Sequence, residues 1–184
     1  MKVMLTSAGL ETESLKDEFI KLLPRIRKET KALFIPTAAI NADAISVLSE
    51  CINDLIKCAI KKENITIYDL HRPMSFDEVR SFDVIYICGG DPRYLLERIN
   101  EQGFNKVLLE YVRNNGILFG VSAGSIIAAQ NLENNLGIIN CYLSVHCEKG
   151  DTAGLANLSN CPRICLTNEQ AISITKLGCA SIIE

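Results

Sequence analysis

GILFGVSAGSIIAAQ, residues 116–130, decides how this chain folds. ILF and the following GV form an apolar run with no polar break, the pattern of a strand buried on both faces. SIIAAQ then opens a helix, and only the small residues of SAG lie between them. A buried strand that runs straight into a helix is the unit of a parallel sheet.

Working outward, the same unit recurs towards the N-terminus. KVMLTS (2–7), KALFIPT (31–37), ITIYDL (65–70) and DVIYICGG (83–90) read as four further strands. Between them, residues 11–29 place Leu15, Phe19, Leu22, Leu23 and Ile26 at helical period, with Pro24 set to bend or end that helix. Residues 43–61 do the same with Ile45, Leu48, Ile52, Leu55, Ile56 and Ala59. YLLERI (94–99) and FNKVLLEYVRN (104–114) give two more helices. Beyond residue 136 the helical period fades, and ICLT (164–167), AISIT (171–175) and ASIIE (180–184) read as short strands. The expected fold is an α/β sandwich: a mostly parallel sheet with helices on both faces and an irregular or antiparallel C-terminal part. With 184 residues and no linker, repeat or low-complexity tract, residues 1–184 read as one domain.

Composition removes several function classes. A net charge of −3 supplies no basic face for a phosphate backbone, so no nucleic-acid partner is expected. No apolar run nears the roughly 20 residues of a membrane-spanning helix, and the N-terminal apolar run is too short for a secretory signal. A cytoplasmic location follows as the expectation. The eight cysteines include no C-x-x-C pair, and most sit in apolar runs such as YICGG and PRICLT. They read as reduced thiols, mainly core residues, with no metal and no cofactor implied.

The chemistry points back to the opening stretch. GVSAG is a G-x-S-x-G sequence between strand and helix, the context of a nucleophile elbow. Ser122 stands on the sharp turn, and Gly120 and Gly124 remove side chains that would collide across it. The helix start offers free N–H groups, and the N–H of Ala123 is a natural donor to an oxyanion. A small-residue loop that merely packs helix on sheet has the same five letters; the strand–turn–helix setting favours the nucleophile. ICGGD (87–91) also ends a strand and opens a helix, which predicts that Gly89 and Gly90 lie beside Ser122. Two histidines, His71 and His146, are the available bases.

GVSAGSIIA, CGGD-x-x-x-LL and a later lone histidine together resemble the peptidase E family of serine peptidases, which also includes cyanophycinases. The resemblance runs from the first strand to LTNEQAI (166–172). It implies a flavodoxin-like fold, similar to class I glutamine amidotransferases, and cleavage of dipeptides with N-terminal aspartate. It implies Ser122 as nucleophile, His146 as general base, and Gly90 and Ala123 as oxyanion donors. The third member of the triad falls on Asn168 or on its neighbour Glu169, where the family usually has an acid.

Other departures from the family concern the substrate. Asp91 stands where the family has asparagine, with Arg93 placed to pair with it. The segment after His146 carries Lys149 and no arginine, although the family often has arginines there to hold an aspartate side chain. Asp91, Arg93 and Lys149 are therefore the candidate substrate-binding residues. Glu184 falls within the expected last strand, which predicts a chain shorter than its relatives. A serine peptidase acting on small peptides, with homodimerisation allowed, is the leading expectation. An amidase, esterase or acyl transferase would use the same serine. A binding module with a weakened triad is the non-catalytic alternative.

Overall fold

The computed structural model describes residues 1–24, 26–158, 161–176 and 179–184. Its centre is a sheet of β1 (Lys2–Thr6), β2 (Ala32–Ile35), β3 (Ile65–Ile67), β4 (Val84–Ile87) and β5 (Ile117–Val121), followed by β7 (Gly154–Ala156), β9 (Ala171–Lys176) and β10 (Cys179–Ile183). The spatial order is β3-β2-β4-β5-β1-β9-β10-β7. The first five strands are parallel; β9 runs antiparallel to β1, and β10 and β7 continue in antiparallel fashion. This is the flavodoxin-like α/β architecture expected from the sequence. A separate parallel pair joins β6 (Tyr142–Ser144) to β8 (Arg163–Cys165).

The continuous apolar strands are explained by helices on both faces. Val3 and Leu5 of β1 point into one core with Ile85, Ile87 and Leu118. That core is closed by Leu95 and Ile99 of α5 (Pro92–Glu101) and by Phe104 and Leu108 of α6 (Phe104–Arg113). Met4, between Val3 and Leu5, points the other way, to Leu15 and Phe19 of α1 (Glu13–Leu22) and Leu55 of α3 (Leu48–Lys57). There Phe34, Tyr86 and Phe119 sit at one level of β2, β4 and β5 and stack, with centroids 5.5 and 4.7 Å apart. Such aromatic contacts add to the burial itself.

Local chemistry shortens several expected elements. The helix expected over 11–29 ends at Leu22, two residues before Pro24. The helix expected over 43–61 divides at Val47 into α2 (Ala42–Ser46) and α3. Ile45 and Val47 remain exposed, so α2 has no apolar face to anchor it. Strand β3 stops at Ile67, and the helix after Ser122 is a single turn, α7 (Ala123–Ile126). All eight cysteines are free: Cys51, Cys58, Cys88 and Cys141 are buried, Cys147, Cys161 and Cys165 half-buried, and Cys179 exposed.

Strand order builds the site. β5 lies between β4 and β1, so the C-terminal ends of all three strands meet at one edge. Gly89–Gly90 follow β4, Ser122 follows β5 and Ser7 follows β1. Because β9 is antiparallel and pairs Ala171 with Thr6, it begins where β1 ends. The turn that carries Asn168 therefore arrives at the same edge.

Candidate active site

Ser122 occupies the sharp turn with φ 46° and ψ −103°, outside the usual regions for a side chain of its kind. Such a conformation costs energy and persists only where neighbours enforce it. Here the Ser122 N–H donates to the carbonyl of Thr6 at 3.0 Å, which ties the elbow to β1. The buried hydroxyl of Ser125 lies 2.8 Å from the Thr6 and Gly120 carbonyls, bracing the next turn. Gly124 permits the close approach to β4: a Cβ there would lie 2.5 Å from the Ile87 carbonyl oxygen.

The two histidines part company. His146 Nε2 lies 2.9 Å from Ser122 Oγ. His71 stands exposed beyond β3, with Nδ1 against the carboxylate of Asp69 and its ring edge-on to Tyr68. The structure therefore brings one of the two candidate bases to the serine. His146 has φ 57°, a left-handed conformation uncommon for a non-glycine residue.

On the far side of the imidazole, Asn168 Oδ1 lies 2.8 Å from His146 Nδ1. Glu169 is exposed, and its backbone N–H donates to Thr167 Oγ1 at 3.3 Å. Of these two neighbours, Asn168 is the one that meets the ring. Asp151 spends its carboxylate on the N–H of Cys165, 3.0 Å away. Ser7 completes the cluster: its hydroxyl is buried and lies 3.2 Å from Asn168 Oδ1. A lone serine after a strand has no local pattern to mark it; its signal is the parallel neighbour relation between the first and fifth strands.

Gly90 lines one cleft with the serine, next to Gly89, whose Cβ position lies 3.2 Å from Ser122 Cβ. At Gly90 a φ of 136° and a Cβ position only 1.9 Å from the Ala38 carbonyl oxygen leave room for glycine alone. Neither the Gly90 nor the Ala123 N–H has an acceptor among the described residues.

The residues expected to contact substrate are placed otherwise. Asp91 caps α5: its Oδ1 accepts the N–H groups of Arg93 and Tyr94 at 2.8 and 3.0 Å. That is the position where aspartate stabilises a helix N-terminus, so its carboxylate is already engaged. The expected Asp91–Arg93 side-chain pair is absent among the described contacts, and Arg93 lines a different cleft with Glu97 and Asn131. Lys149 is exposed and does not line the cleft at Ser122.

That cleft has a volume of about 550 Å³ and reaches from Ser122, His146 and Gly90 towards α3. Leu10, Val47 and Val121 give it apolar walls; Glu11, Glu50, Asp54 and Lys57 give it charge. Asp54 is nearly buried, and its Oδ2 accepts the Leu10 N–H and the Tyr86 hydroxyl, each at 3.2 Å. Burial raises the Asp54 carboxyl above its ordinary value, against those hydrogen bonds and Lys57, which pull it down. No group of three or more histidine, cysteine or acidic residues forms a metal site among the described residues.

The family model of peptidase family S51 matches residues 3–176. The chain belongs to peptidase family S51. This S51 chain is similar to two uncharacterized peptidases of Listeria. The match to that of Listeria monocytogenes is 27% identical over 46% of this chain and 42% of the relative. The match to that of Listeria innocua is 28% identical over 54% of this chain and 47% of the relative. Both matches thus span less than half the length of the curated relatives. Among solved structures, a candidate peptidase E protein from Listeria monocytogenes superposes with a TM-score of 0.71 at 18% identity, covering 100% of this chain and 97% of that one. A peptidase from an acI-B1 Actinobacterium gives 0.65 at 18% identity, covering 94% of this chain and 82% of that one. At that identity the likeness speaks to the fold. Among the described residues, no helix is long and apolar enough to cross a membrane.

Proposed function

We propose that this protein is a serine peptidase that hydrolyses small peptides through an acyl-enzyme. The observation that carries the reading is the line Ser122 Oγ–His146 Nε2–Asn168 Oδ1, with successive separations of 2.9 and 2.8 Å across Nε2 and Nδ1. In this reading His146 takes the proton of Ser122 as its oxygen attacks the scissile carbonyl, and returns it to the leaving amine. Water then repeats the sequence to release the acid. The N–H groups of Gly90 and Ala123 receive the oxyanion of each tetrahedral intermediate.

Residues 1–184 act as one domain in this scheme, in the cytoplasm, with a small peptide as the partner. The charge of the cleft bears on the choice of peptide. Glu11, Glu50 and Asp54 outnumber Lys57, which disfavours the N-terminal aspartate that the family resemblance implies and favours a neutral or cationic end. An amidase or esterase would share the acyl-enzyme.

A fluorophosphonate probe and a dipeptide library test the reading together. Wild type should gain the mass of one probe and release amino acids from a subset of dipeptides. Ser122→Ala should do neither while keeping its circular-dichroism spectrum. Covalent labelling that survives in Ser122→Ala would remove Ser122 as the nucleophile.

A further inference from the structure

An asparagine beside the base poses a problem that a carboxylate does not. Both oxygens of a carboxylate accept, so either one fixes the proton of the imidazole on Nδ1. An amide has one accepting face and one donating face. With Asn168 Oδ1 towards the ring, Nδ1 carries the proton and Nε2 is bare, ready to take the proton of Ser122. With the amide reversed, its NH₂ requires a bare Nδ1. The ring proton then sits on Nε2 and points at the serine, and the base is lost. Something in the fold must choose between these two arrangements.

We propose that Ser7 makes that choice, as a positioning residue that acts through Asn168; the inference rests on the reading of Ser122 and His146 as nucleophile and base. The Ser7 hydroxyl has one proton to give and is fully buried. Its oxygen accepts the backbone N–H of His146 at 2.6 Å. Its neighbours for donation are Asn168 Oδ1 at 3.2 Å and His146 Nδ1 at 3.5 Å. With Oδ1 turned inward every group is matched: Nδ1–H and Ser7 O–H both donate to Oδ1, which has two lone pairs. With the amide reversed, Ser7 faces N–H donors on two sides. The acceptor left for its own proton is Nδ1, at the far limit of hydrogen bonding and already claimed by the amide. A buried hydroxyl is then stranded, and such groups are strongly avoided. Ser7 thereby holds the amide, the amide holds the tautomer, and the tautomer leaves Nε2 free. The same oxygen, by accepting the His146 N–H, supports the left-handed backbone of that residue.

The tautomer can be read directly. The chain has two histidines, so His71→Gln leaves the ¹⁵N signals of one imidazole. With that ring neutral, two-bond ¹H–¹⁵N correlations should show Nδ1 as the protonated nitrogen and Nε2 as bare. Ser7→Ala should shift the spectrum towards an average of the two tautomers; Ser7→Cys, close in size and a weaker donor, serves if the alanine variant does not fold. A bare Nδ1 in the parent protein, or a folded Ser7→Ala with an unchanged spectrum, overturns the proposal. Kinetics give a second reading: Ser7→Ala should lower kcat by about tenfold or more with KM within about twofold, and by under about threefold in an Asn168→Asp background, where no amide remains to be turned. Equal losses in both backgrounds would make Ser7 a packing residue and overturn its role. A protonated Nδ1 that depends on Ser7, in a protein that fails to label at Ser122, supports the positioning role and removes only the peptidase reading.

Discussion

The elbow and the C-terminal segment reach the same site by opposite routes. Residues 116–130 place Ser122 through local geometry: a buried strand, a forced turn and small residues on both sides. Residues 142–171 place His146 and Asn168 through distant pairings, with β6 on β8 and β9 on β1. The first kind of placement is written in adjacent residues. The second is written in strand order, which no short stretch contains. A nucleophile needs one strained turn, whereas a base needs an oriented ring, and orientation requires contacts from several segments.

The largest effect expected from this contrast is at the elbow. Ser122→Ala should cut kcat/KM by about 10⁴-fold or more without unfolding the chain, checked by steady-state assay on the best dipeptide found.

On the other side, the partner of His146 should prove specific. Asn168→Ala should lower kcat by about 10²-fold, while Glu169→Gln stays within about twofold. Asn168→Asp should raise kcat, because a carboxylate compensates the imidazolium formed during acyl transfer and an amide does not. Equal losses from Glu169→Gln and Asn168→Ala would sink the assignment.

A smaller effect separates fold from chemistry. Gly124→Ala drives a methyl against the Ile87 carbonyl and should cost about 1–3 kcal/mol of stability in a denaturant titration. A neutral result would show that the elbow and β4 can move apart.

The smallest effect concerns the floor of the cleft. The Asp54 carboxyl is raised above its unfolded value of 3.8 by burial. Its contribution to stability is therefore fully present below about pH 3.8 and lost as pH rises through the folded value. Asp54→Asn removes that titration, so the stability of wild type relative to the variant should decline as pH rises. A difference that grows with pH would reverse the sign of the shift.

What was legible in the sequence follows the same division. The apolar runs spell out the five parallel strands, and strand succession puts the glycine pair in one cleft with Ser122. The antiparallel end was read from the fading helical period, but β6 and β7 were not, since CYLS and GLA are too short to carry a pattern. Asn168 is marked by the family resemblance, and Ser7 carries no local signal. Asp91 stands where the family has asparagine, which makes it a candidate substrate contact; its Oδ1 caps the helix that begins at Pro92.

The contact between Ser7 and Asn168 spans 161 positions of chain. During synthesis the ribosome releases the nucleophile well before the base and its amide. A chain that carries Ser122 but not yet His146 and Asn168 therefore lacks the two residues that the complete site lines up behind its hydroxyl. The cluster of Ser7, Ser122, His146 and Asn168 is complete only when β9 closes onto β1, so the site assembles once the antiparallel end of the sheet is in place.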